Sequence, residues 1–440
     1  MIVNVIVSPW TTIENATNPQ ALTGLTPKTD YEVKVQGFCD EDPTDESEVL
    51  TFTTPEGYVK HITGYGNSNG NWYLIASPLA DNVDSASVDM ITDDLGTNAT
   101  PETSTYDLFS FDQAEDLEWR NYRVNSFDLV NGQGYLYANK NDIDLVFTGA
   151  ATSGTTQQVT LHKTVEADGL DFPAWNLVGN PFAVIAYPVE DYDFYTLSSD
   201  ATLIVEVNSD FNSIEPMEGI FVNAENDGDV LTFTTTPTTN SGKGFVLNLS
   251  QNHGLIDRAV VRFGEGRTLP KFQIKKNSTK VFIPMDGQDY AVVRSEEVGE
   301  MPVSFKAEEN GNYTLSLSTL NTEFGYMHLI DNLTGNDVDL LKTPSYSFEA
   351  KTTDYESRFK LVFATGSSTG SETFAFFSNG SFVINNEGNA TLQVIDVTGR
   401  ILSSETINGC ANINVNGAAG VYMLRLMNGD NVKVQKVVVK

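Results

Sequence analysis

Cysteine is nearly missing from this chain. Cys39 and Cys410 are the two in 440 residues, far apart, and no disulfide framework or zinc site can be built from them. They read as small buried residues. No apolar run approaches the roughly eighteen residues of a membrane helix, which argues against insertion by a helical span. The first residues, Met1-Ile2-Val3-Asn4-Val5-Ile6-Val7, lack a basic region and a cleavage site and are not a secretory signal. Helix signals are scarce as well.

Basic residues are missing from one half. Residues 1–237 hold 7 Lys+Arg against 38 Asp+Glu, a net charge of −31. Residues 238–371 come to −2 and residues 372–440 to zero, which accounts for the total of −33. So acidic a front half repels nucleic-acid phosphates and anionic membranes, and suits a solvated extracellular surface.

Catalytic patterns are also lacking. Gly366-Ser367-Ser368-Thr369-Gly370 has the letters of a nucleophile elbow, but it sits in a low-complexity stretch without the strand–turn–helix that motif needs. Gly64-Tyr65-Gly66-Asn67-Ser68-Asn69-Gly70 has the wrong glycine spacing for a dinucleotide loop. His61, His162, His253 and His328 are isolated, and none has metal-ligand spacing. Carboxylates are many, yet nothing singles out a glycosidase pair. The expectation is a chain without hydrolase activity and without a cofactor. Calcium is the one ion these residues suit, at Asp40-Glu41-Asp42, Glu225-Asn226-Asp227-Gly228-Asp229 and Asp331 to Asp337, where hard oxygens gather at turns. Such Asx-rich segments are also ordinary turns. Trp119 and Tyr122 are aromatic candidates for stacking on sugars, with core packing the competing role.

What is present is β structure. Thr, Val, Tyr, Phe, Asn and Gly abound, and short alternating stretches predict strands such as Val3–Val7, Tyr313–Leu317 and Arg358–Phe363. The fold class is all-β: tandem β-sandwich modules ending in a small Ig-like β-sandwich.

An internal repeat runs through residues 56–237. Trp72-Tyr73-Leu74-Ile75-Ala76-Ser77-Pro78-Leu79 returns as Trp175-Asn176-Leu177-Val178-Gly179-Asn180-Pro181-Phe182. Tyr106-Asp107-Leu108-Phe109 returns as Tyr192-Asp193-Phe194-Tyr195, and Gly134-Tyr135-Leu136-Tyr137 as Gly219-Ile220-Phe221-Val222. Leu145-Val146-Phe147-Thr148 returns as Leu231-Thr232-Phe233-Thr234. Two tandem β-units sharing an interface are expected. They resemble the Trp-x-Leu-x-Gly-Asn-Pro repeats found beside type IX sorting domains. Upstream, Leu25, Pro27 and Tyr31, with Phe52-Thr53-Thr54-Pro55, resemble the second half of a fibronectin type III domain, whose tyrosine ties down a corner. The early strands of that domain are missing from residues 1–55, so a fragment of a longer protein is expected.

The last seventy residues carry the sharpest pattern. Leu392-Gln393-Val394-Ile395-Asp396-Val397 alternates between two faces, Thr398-Gly399-Arg400 turns, and Ile401-Leu402 begins the return. Val432, Val434, Lys436 and Val438 line one face of the last strand; Lys433, Gln435, Val437 and Val439 line the other. The segment resembles the type A C-terminal sorting domain of Bacteroidetes type IX secretion cargo, in which an Asp-x-x-Gly-Arg turn, a Gly-x-Tyr strand and a terminal Lys-x-x-x-Lys strand recur. The matching positions are Asp396, Gly399, Arg400, Gly420, Tyr422, Lys436 and Lys440, with Ala418-Ala419 where that family often has proline. The resemblance implies delivery to the outer cell surface or beyond, the type IX machinery as partner, removal of the tail afterwards, and a last strand central to its sheet.

The expected organisation is a partial fibronectin type III-like module (1–55), β-repeat 1 (56–150), β-repeat 2 (151–237), a β-sandwich (238–366), a linker (367–371) and the sorting domain (372–440). The expected function is a noncatalytic adhesive or spacer region, with host proteins or glycans as the expected ligand classes. The alternative is the tail of a secreted peptidase or glycosidase whose catalytic domain lies outside these residues.

Overall fold

The computed structural model describes residues 2–7, 11–13, 22, 29–39, 42–53, 57–66, 71–80, 105–115, 118–122, 124–147, 149–164, 172–190, 192–198, 202–206, 212–238, 242–274, 277–365, 374–378, 380–386, 388–414, 419–429 and 431–439. Among these residues every regular element is a strand. The chain divides into two compact units, Met1–Ala201 with Phe211–Thr238, and Thr202–Asp210 with Thr239–Lys440.

In the first unit, strand Ile2–Val7 pairs antiparallel with Asp30–Cys39, which also pairs with Leu50–Thr53. Tyr31 is buried there and stacks on Phe52, with ring centroids 5.9 Å apart. Leu25 and Pro27 lie outside the described residues, as do Lys440 and the 367–371 segment.

The next two segments have the same strand order. In the first, Trp72–Ala76 pairs with Gly134–Asn139, which pairs with Tyr106–Phe111; Tyr58–Ile62 pairs with Ile143–Phe147. In the second, Trp175–Gly179 pairs with Gly219–Asn223, which pairs with Tyr195–Leu197; Thr156–Thr160 pairs with Val230–Thr234. The central strand of each set is buried almost throughout, because partners flank it and side chains cover both faces. Trp72 packs on Phe109 at 6.1 Å and Trp175 on Tyr195 at 5.7 Å, and each pair occupies the same places in its set.

The two sets meet at a seam with two-fold character. Ile75 bridges Glu218, and the equivalent Val178 bridges Gln133. The Ala76 N–H donates to Met217 O at 3.1 Å, and the equivalent Gly179 N–H donates to Gly132 O at 2.9 Å. Gly132 (φ 82°) and Met217 (φ 58°) both adopt the left-handed conformation, so the backbone makes the same turn on each side although one copy lacks glycine.

In the second unit, a continuous ladder runs from Asn336–Asp339 through Phe324–Asp331, Phe359–Thr365, Val298–Lys306, Lys280–Met285, Gln288–Ser295, Gly254–Phe263, Gly244–Gln251 and Gly311–Leu320 to Ser345–Ala350. It encloses an aromatic-rich core in which Phe245, Phe305, Phe348, Phe359 and Phe363 pack together. Among the described residues of this module two ion pairs are buried on both sides. Asp257 binds Lys271 at 2.5 Å, and Asp331 binds Arg358 at 2.9 Å.

Candidate functional site

The C-terminal segment is two small sheets closed on one core. Ala375–Ser378, Ser381–Ile384 and Ala411–Asn414 form one. Ile401–Asn408, Asn389–Asp396, Gly420–Asn428 and Asn431–Val439 form the other, in that order. Phe382, Leu392, Val394, Leu424, Leu426, Val437 and Val439 fill the space between them. A smaller contact joins Val383 to Ile330 and Val362 of the preceding module.

Asp396 and Arg400 build the hairpin turn. Asp396 Oδ1 accepts the Thr398 N–H (2.9 Å), the Thr398 hydroxyl (2.6 Å) and the Arg400 N–H (3.0 Å). The Arg400 Nε–H donates to Oδ2 at 3.1 Å. Gly399 at φ 85° supplies the left-handed step. The Thr398 hydroxyl, with the two amides and the guanidinium, brings the Asp396 carboxyl down to about 2. Asp396 and Arg400 are therefore a turn lock facing solvent.

Gly420 lies opposite Val439, and Tyr422 opposite Val437. Tyr422 is buried, and its ring meets Phe382 of the other sheet at 5.5 Å, so it holds the two sheets together. Lys436 is exposed and lies opposite Met423. The structure thus separates the motif residues: the Asp396 turn is at one end of a hairpin, Tyr422 is inside, and Lys436 is on the outer face.

One expectation is corrected. The last strand is not central: Asn431–Val439 pairs with Gly420–Asn428 and forms the edge of its sheet. Lys433 and Lys436 stand on this edge, where charge discourages pairing with stray strands.

The outer face of that sheet is apolar where a free surface is usually polar. Val432, Val434 and Val438 are 47%, 56% and 53% exposed. In register beside them run Val421, Met423 and Met427, then Ile395 and Ile401. Lys436 and Arg425 are the positive groups on this face. Gln393 lies on it too, and its Oε1 has no hydrogen-bond partner.

Sequence reasoning gave Gln435 no role. Its Oε1 accepts the Phe374 N–H at 2.6 Å and the Ala375 N–H at 2.8 Å, and its Nε2 donates back to Ala375 O. One side chain of the last strand thereby holds the first strand of the segment in place. A buried-face glutamine between Lys433 and Val437 is the only sequence trace of this.

The other candidates have structural partners. Asp331 is buried and engaged by Arg358 and by the Tyr346 hydroxyl at 3.0 Å. Asp229 Oδ2 accepts the Glu225 and Asn226 N–H groups and so closes its own turn. Asp40 and Glu41 lie outside the described residues, as does the Gly366–Gly370 stretch. The histidines are less isolated than their spacing implies: His61 meets Asp144 at 3.0 Å, His162 meets Asp227 at 3.5 Å, and His328 meets Asp337 at 2.7 Å. Among the described residues no group of three or more His, Cys, Asp and Glu could hold a metal ion. Trp119 packs edge-on against Phe111 at 5.1 Å and Tyr122 is buried. Cys410 is half-buried and donates to Asn385 Oδ1 at 3.3 Å; the side chain of Cys39 is outside the described set.

No curated protein matches the chain. Among solved structures, it aligns with Salmonella alpha-2-macroglobulin reacted with methylamine at 12% identity, covering 100% of this chain and 37% of that one, with a TM-score of 0.12. It aligns with the native conformation of E. coli alpha-2-macroglobulin at 8% identity, covering 100% and 40%, with a TM-score of 0.11. The chain thus spans about two fifths of the length of these proteins. Residues 378–440 match the family model described as the secretion system C-terminal sorting domain, and the chain carries the sorting tail of a type IX secretion cargo, a secreted or cell-surface protein.

Proposed function

We propose that the chain is the noncatalytic, surface-delivered accessory region of its parent protein, with adhesive or spacer modules ahead of the sorting tail. The observation that supports delivery by the tail is its build: a small β-domain with its own core, an open edge strand and an outward valine face. A translocon reads such a surface independently of the strongly acidic modules before it. Those modules include two sets of strands in the same order, joined by paired main-chain hydrogen bonds at Ala76–Met217 and Gly179–Gly132, a build that suits a spacer or binding role. The acidic surface keeps them apart from anionic membranes and nucleic acid.

The test uses the full chain behind an export signal in a host with the type IX system. Deleting Asn431–Val439 removes the edge strand and the Gln435 ties, and should trap the protein in the periplasm. Val434→Glu leaves the core face intact and should reduce delivery by disturbing the valine face alone. Equal surface delivery of all three forms would overturn the reading of the tail. Reproducible turnover of peptides or glycans by purified residues 1–440, lost on one point substitution, would overturn the noncatalytic part.

A further inference from the structure

We propose that the seam between the two repeats is a binding site for a neutral oligosaccharide. The proposal deepens the adhesive reading above by naming a ligand class.

The two-fold character of the seam provides an internal comparison. Lys60 pairs with Leu145, and Val159 pairs with Leu231, so these two residues are equivalent. By the same correspondence Glu215 matches Val130, Met217 matches Gly132, Glu218 matches Gln133, and Tyr73 matches Asn176. The last pair preserves even its bonds. The Tyr73 hydroxyl accepts the Thr63 N–H at 3.0 Å, and Asn176 Oδ1 accepts the equivalent His162 N–H at 2.9 Å.

At all five positions the half of the seam that holds Val130 and Val159 carries the smaller or less charged residue. On the first side, Lys60 is partly buried within the fields of Glu218 and Glu215. On the other side, Val130, Gly132, Gln133, Val159 and Asn176 line a cleft of about 730 Å³. That volume is in the range of about 300–1,000 Å³ typical of small-ligand sites.

The lining selects the ligand. Val130 and Val159, the latter backed by the buried Val178, offer an apolar wall for the C–H face of a sugar ring. Gln133 Oε1 shares the Tyr135 hydroxyl proton with Asp128 O, at 3.2 and 3.0 Å, while its Nε2 has no protein partner among the described residues and is left to donate. The Thr160 hydroxyl and the Asp112 and Asp227 carboxylates complete a set suited to hydroxyl groups. Lys163 and His162 share the rim with these carboxylates, so the mouth carries both signs of charge. The net charge of −31 on residues 1–237 disfavours an anionic ligand.

The experiment is a screen of the purified full chain against an array of neutral glycans, followed by calorimetric titration of the best one. The double variant Val159→Lys/Gln133→Glu installs the residue types that Lys60 and Glu218 provide on the other half of the seam, and should weaken binding at least ten-fold. Thr160→Val removes one hydroxyl without filling the cleft, and should weaken it several-fold. The proposal is overturned if no neutral glycan binds, if only peptides or charged sugars bind, or if both variants bind as the parent does. Binding in solution is independent of surface delivery, so failure here leaves the sorting reading intact, and failed delivery leaves the cleft intact.

Discussion

The Cα of Gly134 lies 3.4 Å from the point where a Cβ on Gly219 would sit. These two glycines hold the same place in the two repeats and meet across the seam. Backbone therefore approaches backbone where a pair of side chains would force the repeats apart. The nearby Gly179 is tighter still: an added Cβ would stand 2.3 Å from Ala76 Cβ and 2.6 Å from Gln133 O. Ala76 and Gly179 are equivalent positions, and the seam has room for one methyl group, not two.

Gly179→Ala should accordingly destabilise the repeat pair by about 1–3 kcal/mol, the cost of overpacking a well-filled contact. Gly219→Ala should cost less, because its nearest neighbours stand at 3.2 to 3.4 Å. Urea unfolding followed by tryptophan fluorescence reads both, since Trp72 and Trp175 begin the seam strands. Equal midpoints for the two variants would contradict this account.

Asp331→Ala should be among the most damaging single changes in the second unit, at about 3–5 kcal/mol, the cost of removing one partner of a buried ion pair. Arg358 is buried with its Nε and Nη2 on the two Asp331 oxygens and its guanidinium over Phe348 at 4.6 Å. Removing the carboxylate strands that charge, with Asp354 at 3.5 Å as its remaining acidic neighbour. Burial alone would raise the Asp331 carboxyl, but hydrogen bonds from Arg358 and Tyr346 outweigh it and the net shift is downward. A depressed folded-state value stabilises above the ordinary carboxylate pKa, and the contribution is lost as pH falls through the lowered value. Acid unfolding should therefore begin at higher pH in Tyr346→Phe, measured by circular dichroism. An unchanged acid midpoint would argue against it.

The Asp396 carboxyl should titrate with a midpoint of about 2, well below an ordinary aspartate, when followed by carboxyl NMR. The turn's stabilisation is complete above the unfolded value and fades as pH falls through about 2. Thr398→Ala removes the leading hydrogen bond and should move the midpoint up. A midpoint near the ordinary value in the parent chain would mean that the lock is not formed.

Much of the C-terminal architecture was legible because period-two alternation fixes which side chains share a face. Leu392 and Val394 are inside, Val432, Val434 and Val438 outside, and Asp396 with Gly399 marks the turn. Alternation says nothing about neighbours, so the edge position of Asn431–Val439 was missed. It also cannot show the register shift between Val394 and Ile395. The repeat landmarks align two stretches of sequence, but the difference between Lys60 and Val159 acquires meaning only once each is paired with its strand partner. Gln435 was invisible for a related reason. Its partners are main-chain groups at residues 374 and 375, a link that leaves no periodic trace.

That link yields the prediction most specific to the sorting tail. Gln435→Ala removes two acceptor bonds and one donor bond from a half-buried site, and leaves the N–H groups of Phe374 and Ala375 without that acceptor. Each orphaned buried donor costs about 1–3 kcal/mol, and with the site only half-buried a loss toward the lower end of the two-donor sum, about 2–4 kcal/mol, is expected. Phe374 and Ala375 belong to the same core as Val437 and Val439, and the damage should spread to the edge strand rather than stay local. Gln435→Glu keeps the acceptor oxygens and loses the donor, so it should fall between alanine and the parent. Hydrogen exchange at residues 374–378 and 431–439 measures this directly. Both segments should lose protection together in Gln435→Ala, while the Asn389–Asp396 strand keeps most of its own. Unchanged protection of residues 374–378 would show that their attachment rests on the Phe374 and Phe382 side chains instead.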